Sequence, residues 1–385
     1  MGQKKMGTRL NKLTNEGWKA LKDVIIFGYG RYGSRICQFL KRDFNIVAIV
    51  DNDEQKNGQI VDGVPIYSFD SARNLLHNYK IIVTAQAFFY SEISKQLKEE
   101  GLKENVDFVI WNQFFPEWFY KYKGTICVAK TDVVITSYCN LRCENCMVFS
   151  PYVPKRHETV ENIKGSLQAF FDRVDRVQDM NLYGGEPFLH PQLGEIIEEA
   201  GKYREKIGYL GIITNGTIIP DTNIIKLLGK YNIGISISDY SFSVDYKTKL
   251  NELYRILEEA QINVLCSTNM VWFDLGFPGK RVQIDENILQ KHMECCNPVC
   301  RDLIDGKIYY CVPDRAAQLG GLIPNSEKSF IDLSKIDKDD LEARKSILEF
   351  CTGQIDDGYL ELCKKCKGFG EDNFDEIQAA KQISI

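Results

Sequence analysis

Three cysteines within one short run constrain this chain more than any other feature of its sequence. Cys139, Cys143 and Cys146 follow the spacing C-x3-C-x2-C. Three thiolates placed this closely can hold three irons of a cubane [4Fe–4S] cluster and leave the fourth iron open to a small molecule, whereas four thiolates saturate a cluster for electron transfer. The motif therefore predicts an iron–sulfur site that can carry out chemistry.

A structural zinc knuckle is the alternative for the same three cysteines. Structural zinc takes four protein ligands, so a fourth ligand should lie nearby. His157 is the nearest histidine that follows the motif, and it lies beyond both Pro151 and Pro154. We therefore favour the iron–sulfur site and keep zinc as the competing hypothesis.

The segment around the cysteines predicts an α/β fold. Residues 131–136 (TDVVIT) are rich in β-branched side chains, which favour a buried strand, and the cysteines follow at its C-terminal end. Barrel-type α/β folds place their chemistry at that end of their strands. Strand and helix patterns then alternate, with strands predicted at 131–136, 179–183, 210–214, 233–238 and 262–267, and a candidate sixth strand at 281–284.

A second motif makes a resemblance specific. Residues 182–187 are LYGGEP. With the three-cysteine loop, this motif resembles the radical S-adenosylmethionine (SAM) enzymes, which carry such a loop after the first strand of a partial (β/α)6 barrel and Gly-Gly-Glu-Pro after the second. The resemblance implies that the open iron chelates SAM. One electron then yields a 5′-deoxyadenosyl radical that abstracts a substrate hydrogen.

The resemblance also implies which residues bind SAM. The two glycines would let the backbone approach the amino group of SAM, and Glu186 would offset its charge. Asn145 departs from the family, because an aromatic residue usually precedes the third cysteine. The SAM-binding candidates are Gly184, Gly185, Glu186, Thr214, Asn215, Ser236 and Ser238.

Further polar and aromatic residues are predicted to face the substrate at the mouth of the barrel. The candidates are Asp239 and Tyr240 after the fourth strand, and Trp272 and Asp274 after the fifth. An aromatic ring and a carboxylate suit a hydroxyl-rich substrate. Cys266 closes the fifth strand, where a thiol could return a hydrogen atom to a substrate radical, as an epimerase requires. The alternative is that Cys266 is a buried core residue.

The first part of the chain predicts a small Rossmann-like parallel sheet. Gly28, Gly30 and Gly33 form G-x-G-x-x-G between a strand and a helix, and Asp51 follows a second strand. This is the dinucleotide fingerprint, in which a phosphate meets the helix N-terminus. The pattern of Asp51-Asn52-Asp53, Gly63-Val64-Pro65-Ile66 and Ile82-Val83 also resembles small Rossmann-like domains fused to sugar-modifying enzymes of surface-polysaccharide pathways. Nucleotide or nucleotide-sugar binding, NAD binding, and a docking domain with a degenerate site all stay open.

A second group of cysteines marks residues 291–385. An Asp-Gly turn at 305–306 predicts a β-hairpin just before Cys311, and Cys363-x2-Cys366 follows. The arrangement resembles the twitch extension, a truncated SPASM-like domain of radical SAM enzymes. The resemblance implies one auxiliary [4Fe–4S] cluster held by Cys296, Cys311, Cys363 and Cys366, with Cys295 and Cys300 as competitors for the first position. Four-thiolate zinc is the alternative.

Composition argues against several other classes. The net charge of −5 does not favour nucleic-acid binding. The sequence has no apolar run long enough for a membrane span and no apolar signal-peptide region. Thirteen cysteines in a reducing compartment favour metal ligation over disulfides. We therefore expect a cytoplasmic protein.

The combined prediction is an α/β chain with a Rossmann-like domain at 1–120, a radical SAM partial barrel at 125–290 and a twitch-like region at 291–385. The resemblance implies a radical SAM enzyme, an oxidoreductase or an epimerase, with two [4Fe–4S] clusters, SAM and a flavodoxin- or ferredoxin-type electron donor. Its substrate would be a small carbohydrate-like molecule linked to a nucleotide. The alternatives are a peptide-modifying maturase and a non-enzymatic iron–sulfur electron-transfer protein.

Overall fold

Two compact units make up the chain. The computed structural model describes residues 10, 12–13, 16–85, 87–268, 271–278, 284–285, 289, 301–353, 358–368, 373 and 375–383. One unit contains residues 1–129 and 175–178, and the other contains residues 130–174 and 179–385. The predicted boundary at residue 290 stays a prediction. Within the described part of the chain, no helix combines the length and the apolar character that crossing a membrane requires.

A six-stranded sheet forms the centre of the first unit. Its strands are β1 (Asp23–Phe27), β2 (Asn45–Val50), β3 (Ile60–Val61), β4 (Val64–Tyr67), β5 (Lys80–Val83) and β6 (Phe108–Ile110). The order is β3-β4-β2-β1-β5-β6, and every pairing except that of β3 with β4 is parallel. The strand order reverses direction between β1 and β5, which is the point where open α/β sheets bind ligands.

Four helices accompany this sheet: α1 (Arg31–Leu40), α2 (Phe69–Leu76), α3 (Ala87–Glu99) and α4 (Trp111–Lys123). The strands are short apolar runs, and residues 24–27 of β1 are fully buried. Helix α4 buries a series of aromatic side chains, and the Trp118 ring meets that of Phe44 edge-on, with centroids 4.7 Å apart. Aromatic packing of this kind contributes more than its buried area alone.

Strands and helices alternate at the start of the second unit, as the sequence predicts. The strands are β7 (Cys127–Thr136), β8 (Arg176–Gly184), β9 (Ile207–Thr214), β10 (Gly234–Ser238) and β11 (Val264–Ser267). The helices between them are α5 (Val160–Phe171), α6 (Leu193–Gly201), α7 (Thr222–Lys230) and α8 (Lys247–Glu259). Asp221 caps α7 by accepting a hydrogen bond from the Ile224 amide at 2.9 Å. The predicted α/β class is confirmed.

The remaining elements are β12 (Val271–Phe273), β13 (Asp302–Ile304), β14 (Lys307–Tyr309), α9 (Val312–Leu319), β15 (Phe330–Asp332), α10 (Leu341–Cys351) and β16 (Glu376–Gln378). Strand β13 lies parallel to β7, so the large sheet has the order β11-β10-β9-β8-β7-β13-β14-β15. The predicted Asp-Gly turn joins β13 to β14, with φ of 51° at Asp305 and 67° at Gly306. The candidate sixth strand at 281–284 falls almost entirely outside the described residues.

Candidate functional site

The three motif cysteines lie together on the loop that follows β7. Cys143 is buried beside Leu141 and Ala380, and Cys139 and Cys146 pack against the same cluster. All three thiols are free. Among the described residues, no three potential ligands converge on the position of a single metal ion. A cubane cluster does not require this, because each thiolate binds a different iron.

Nitrogen donors point at the cysteine sulfurs. The Leu141 amide donates to Cys139 Sγ at 3.4 Å, and the side-chain amide of Gln382 donates to Cys143 Sγ at 3.3 Å. Metal-bound thiolates accept such bonds, so the site fits an iron–sulfur cluster. Burial raises the pKa of Cys139 to about 12 and that of Cys143 to about 11. A bound metal therefore has to supply the positive charge that deprotonates these thiols.

The two glycines of the second motif press against the start of the cysteine loop. The Gly185 amide donates to the Thr136 carbonyl, and the Glu186 amide donates to the Tyr138 carbonyl, both at 2.8 Å. A Cβ atom would lie 1.9 Å from the Thr136 oxygen at Gly184 and 2.1 Å from the Tyr138 oxygen at Gly185. Glycine is therefore required here because two backbones meet. The predicted approach of this backbone to SAM stays a prediction.

Glu186 fastens the same motif to the end of β9. Its carboxylate is fully buried and accepts hydrogen bonds from the Thr214 hydroxyl at 2.8 Å, the Asn215 amide at 2.8 Å and the Phe188 amide at 3.1 Å. Burial raises the pKa of Glu186 to about 7, even though these three bonds favour the charged form. The carboxylate thus holds two loops of the site together. Its predicted pairing with the amino group of SAM stays a prediction.

We expect Glu186 to make the ligand-free protein less stable as the pH rises. Its pKa moves from 4.5 to about 7 on folding, so between these values the folded state binds more protons than the unfolded state. Ionisation of Glu186 lowers the free energy of unfolding by up to about 3 kcal/mol, and this decrease is complete by about pH 7. Thermal denaturation at about pH 5 and about pH 7.5 measures this loss.

Glu186→Gln isolates that contribution, because the variant cannot ionise at this position. Asp132 also has a pKa raised by burial, to about 6, but it is present in both proteins. The wild type should therefore lose more stability than the variant between the two pH values. Equal losses in the two proteins would show that Glu186 does not titrate in this range.

Asn215 connects the end of β9 to the cysteine loop. Its side-chain amide donates to Asn140 Oδ1 at 3.1 Å and approaches Cys139 Sγ at 3.7 Å, while its oxygen accepts from the Thr217 amide at 2.9 Å. Asn140 donates in turn to the Thr217 hydroxyl at 2.7 Å. Sequence analysis missed Asn140 and Thr217, although the position of Asn140 directly after the first cysteine was an available signal.

The remaining SAM-binding candidates lie on β10. Ser236 is buried and Ser238 is half-buried. Because side chains alternate along a strand, the two serines share one face of the sheet, and Ile237 lies on the other. Their contact with SAM stays a prediction.

Two of the four predicted substrate residues lie against the cysteine cluster. The rings of Tyr240 and Trp272 meet edge-on with centroids 5.7 Å apart, and both pack on the group that contains Cys143. Asp239 is buried, pairs with Lys247 at 3.1 Å and accepts a bond from the amide of the second residue after it. The aromatic pair thus lies beside the cysteine loop, and its contact with a substrate stays a prediction.

Asp274 and Cys266 are placed differently from the sequence expectation. Asp274 accepts a bond from the Gly276 amide at 2.8 Å, and Lys367 lies 3.6 Å from its carboxylate, so it braces the C-terminal segment. Cys266 is exposed and pairs in register with Ile237, on the face that packs against α8. This face is opposite to that of the serines on β10, which argues against Cys266 as a hydrogen donor.

The described cysteines of the C-terminal group lie on neighbouring elements. Cys311 directly precedes α9, and the 3-10 helix Glu361–Lys365, which packs on α9, carries Cys363. Cys363 and Cys366 are buried and accept bonds from backbone amides at 3.4 and 3.3 Å. Cys296, with Cys295 and Cys300, lies outside the described residues. The four-cysteine ligand set therefore stays a prediction.

A cavity of about 450 Å³ opens at the switch point of the first unit. Gly28 and Gly30 line it together with Asp51, Lys56 and Thr84. The Asp51 carboxylate accepts bonds from the amides of residues 29 and 53 at 2.6 and 2.9 Å and pairs with Lys56 at 3.1 Å.

Two glycines of the glycine-rich turn differ in the space around them. A Cβ at Gly33 would lie 1.9 Å from the Gly28 carbonyl oxygen, so Gly33 allows α1 to pack on the turn. Gly30 has open space around it and begins α1 without a side-chain cap. A helix N-terminus without a side-chain cap is a position at which an anion can bind.

Comparisons with known proteins agree with the motifs. Residues 133–274 match the profile of the Radical SAM superfamily, and residues 20–106 match that of the family "C2185-like, N-terminal". The chain is 29% identical over 114 residues to the antilisterial bacteriocin subtilosin biosynthesis protein AlbA of Bacillus subtilis (strain 168), which covers 29% of this chain and 24% of that protein.

Two further similarities were found, one in sequence and one in structure. The chain is 26% identical over 134 residues to the GTP 3′,8-cyclase of Nautilia profundicola, which covers 33% of this chain and 42% of the cyclase. The structure of BtrN in complex with AdoMet and 2-DOIA aligns with 63% of this chain and 93% of BtrN, at 17% identity and a TM-score of 0.40. The chain thus spans less than half of the length of both curated relatives.

The matched residues contain both motifs of the site. They include the three-cysteine loop, the glycine pair and the buried Glu186 that joins them to β9. A [4Fe–4S] cluster and SAM are the cofactors that this family binds, and the donors around Cys139 and Cys143 fit such a cluster. The chain therefore contains a radical SAM domain at residues 133–274.

Proposed function

We propose that this chain is a radical SAM enzyme that oxidises a carbohydrate-like substrate linked to a nucleotide. When bound, the cluster and SAM supply a 5′-deoxyadenosyl radical. The substrate gives up one hydrogen atom to form 5′-deoxyadenosine, and then loses a proton and a second electron, so that a carbinol or amine-bearing carbon is oxidised by two electrons. A flavodoxin- or ferredoxin-type protein would supply the electron that reduces the cluster before SAM is cleaved.

The residues of the second unit have separate tasks in this proposal. Cys139, Cys143 and Cys146 hold the cluster, while the aromatic pair Tyr240 and Trp272 keeps water away from the radical. The C-terminal thiols would hold the group that accepts the second electron lost by the substrate. These thiols include Cys311, Cys363 and Cys366. The outward position of Cys266 favours oxidation over epimerisation, because it leaves this thiol unsuited to return a hydrogen atom.

The cavity of the first unit is the observation that carries the nucleotide part of the proposal. Its size suits a nucleotide, and the N-terminus of α1 supplies positive potential for a phosphate, whereas the charge of Lys56 is already offset by Asp51 and Asp53. Asp51 holds Lys56 in place at 3.1 Å. We therefore infer that the first unit recognises the nucleotide part of the substrate, in preference to a docking role with a degenerate site.

Gly30→Asp tests this inference. A carboxylate at the N-cap of α1 should keep or slightly increase stability, since aspartate is a good N-cap, by a few tenths of a kcal/mol. The same charge should repel a phosphate and weaken nucleotide binding about tenfold or more. Calorimetric titration with UDP and ADP measures binding, and thermal denaturation measures stability.

Gly30→Ser is the matched control, because serine caps a helix equally well without adding charge. It should bind nucleotide more tightly than Gly30→Asp. A wild-type chain that binds neither nucleotide, or a Gly30→Asp variant that binds as the wild type does, would remove the nucleotide from the proposal.

A peptide-modifying activity is the second candidate. The similarity of part of this chain to AlbA, a bacteriocin biosynthesis protein, supports it. The nucleotide-sized cavity supports the nucleotide-linked substrate instead. Substrate-dependent formation of 5′-deoxyadenosine separates them: nucleotide-sugars should stimulate it under the first proposal, and a precursor peptide under the second.

A further inference from the structure

A segment distant in sequence returns to the cysteine loop. We call residues 375–383 the strap. Its strand β16 lies antiparallel to β12, with Ile377 opposite Trp272. Beyond β16, the buried Ala379 accepts a hydrogen bond from the Ser243 hydroxyl at 2.8 Å, and Ala380 turns the chain with a φ of 56°. The strap is therefore fixed on two sides before it reaches the loop.

The backbone of the strap then pairs with the cysteine loop. The Glu144 amide donates to the Lys381 carbonyl, and the Ile383 amide donates to the Arg142 carbonyl, both at 2.8 Å. These two bonds flank Cys143 and form an antiparallel bridge at that residue. An ion pair of 2.9 Å between Lys381 and Glu144 adds to the contact.

Gln382 directs its side chain at Cys143. Its oxygen accepts a bond from the Arg142 amide at 2.7 Å, so its nitrogen must lie on the other side. That nitrogen donates to the Ala380 carbonyl at 2.7 Å and to Cys143 Sγ at 3.3 Å. The contact with Arg142 thus fixes which end of the amide faces the sulfur.

We propose that Gln382 is a positioning residue that donates an N–H···S hydrogen bond to the Cys143 ligand of the radical SAM cluster. The proposal rests on the assignment of Cys139, Cys143 and Cys146 as its ligands. A donor at a ligating sulfur withdraws negative charge from it and favours the more reduced cluster. Gln382 therefore raises the reduction potential of this cluster, and the strap holds the loop that presents it.

An EPR-monitored redox titration of the full, anaerobically reconstituted chain tests the proposal. The signal that changes on addition of SAM identifies the cluster with the open iron. Gln382→Glu replaces the donor by a carboxylate of the same shape and should shift the midpoint potential of that cluster to more negative values. Gln382→Leu removes the donor without adding charge and should give a smaller shift in the same direction.

Gln378→Glu is the matched control on the same strap. Gln378 is exposed and donates to the Ser243 hydroxyl at 2.9 Å, and within the described residues its side chain makes no hydrogen bond to the cysteine loop. Its substitution introduces the same charge and should leave the potential near that of the wild type. Gln382→Leu keeps the proposal testable if the charged variant at position 382 does not retain its cluster.

The possible results separate two failures. A SAM-sensitive signal whose potential is the same in the wild type and in both Gln382 variants would overturn the role of Gln382 alone. An equal shift in Gln378→Glu and Gln382→Glu would also overturn it, because the shift would then reflect distant charge. A wild-type chain without any SAM-sensitive cluster would overturn the ligand assignment itself, and this proposal with it.

Discussion

Cys143→Ala should abolish 5′-deoxyadenosine formation while leaving the C-terminal cysteines able to bind iron. The buried Cys143 lies at the centre of the cysteine loop, packed with Leu141 and Ala380. Two thiolates cannot replace three in holding a cluster with one open iron, so SAM loses its binding site. Anaerobic reconstitution should give about four irons per chain in this variant, against about eight in the wild type. Product formation from SAM and dithionite measures the activity.

Cys266→Ala is the matched control for this loss. Cys266 is an exposed cysteine on β11, outside the cysteine cluster, so its replacement should preserve both the iron content and SAM cleavage. A Cys143→Ala variant that still forms 5′-deoxyadenosine at the rate of this control would contradict the assignment of Cys143. A non-enzymatic electron-transfer protein would form none even in the wild type.

Gly185→Ala should destabilise the second unit by about 3 kcal/mol or more and lower its iron content. The added Cβ would lie 2.1 Å from the Tyr138 oxygen and 2.4 Å from the Tyr138 carbonyl carbon, so the backbone that leads into the cysteine loop must move. No flexible side chain can absorb this overlap. Chemical denaturation of the ligand-free variant measures the stability, and iron analysis after reconstitution measures the effect on the site.

Gly165→Ala provides the comparison in the same unit. Gly165 lies within α5, where an added Cβ meets nothing within 4 Å. Alanine is the better helix former, so this variant should gain about 0.5 to 1 kcal/mol and keep its iron. If Gly185→Ala unfolded at the same denaturant concentration as the wild type, the close backbone approach would not be the reason for glycine at this position.

The strands, the turns and the cysteine loop could be predicted because their signals are local. Strand β7 is a β-branched run, and the Asp-Gly pair at 305–306 favours the positive φ angles that the turn adopts. Helix α4 was not identified as a helix, since its aromatic run carries Pro116 within it. The position of β13 beside β7 could not be predicted, because a three-residue strand is too short to show an alternation of apolar and polar residues.

The environment of the cluster ligands required the structure. Cys143 and Gln382 are 239 positions apart in the chain, and no local pattern connects them. The motif identifies Glu186, and the end of a predicted strand identifies Thr214 and Asn215, but no sequence pattern shows that these two residues donate to the Glu186 carboxylate. Asp274 and Cys266 were placed by their distance from a strand end, which does not determine the face on which a side chain lies.

Formation of 5′-deoxyadenosine by the reconstituted wild-type chain decides whether this protein carries out radical SAM chemistry. The protein is loaded with iron and sulfide under anaerobic conditions, supplied with SAM and dithionite, and assayed for product and iron together. We expect 5′-deoxyadenosine and about eight irons per chain. About four irons with product would remove the auxiliary cluster and leave the radical SAM site standing. A fully loaded protein that forms no 5′-deoxyadenosine would contradict the account.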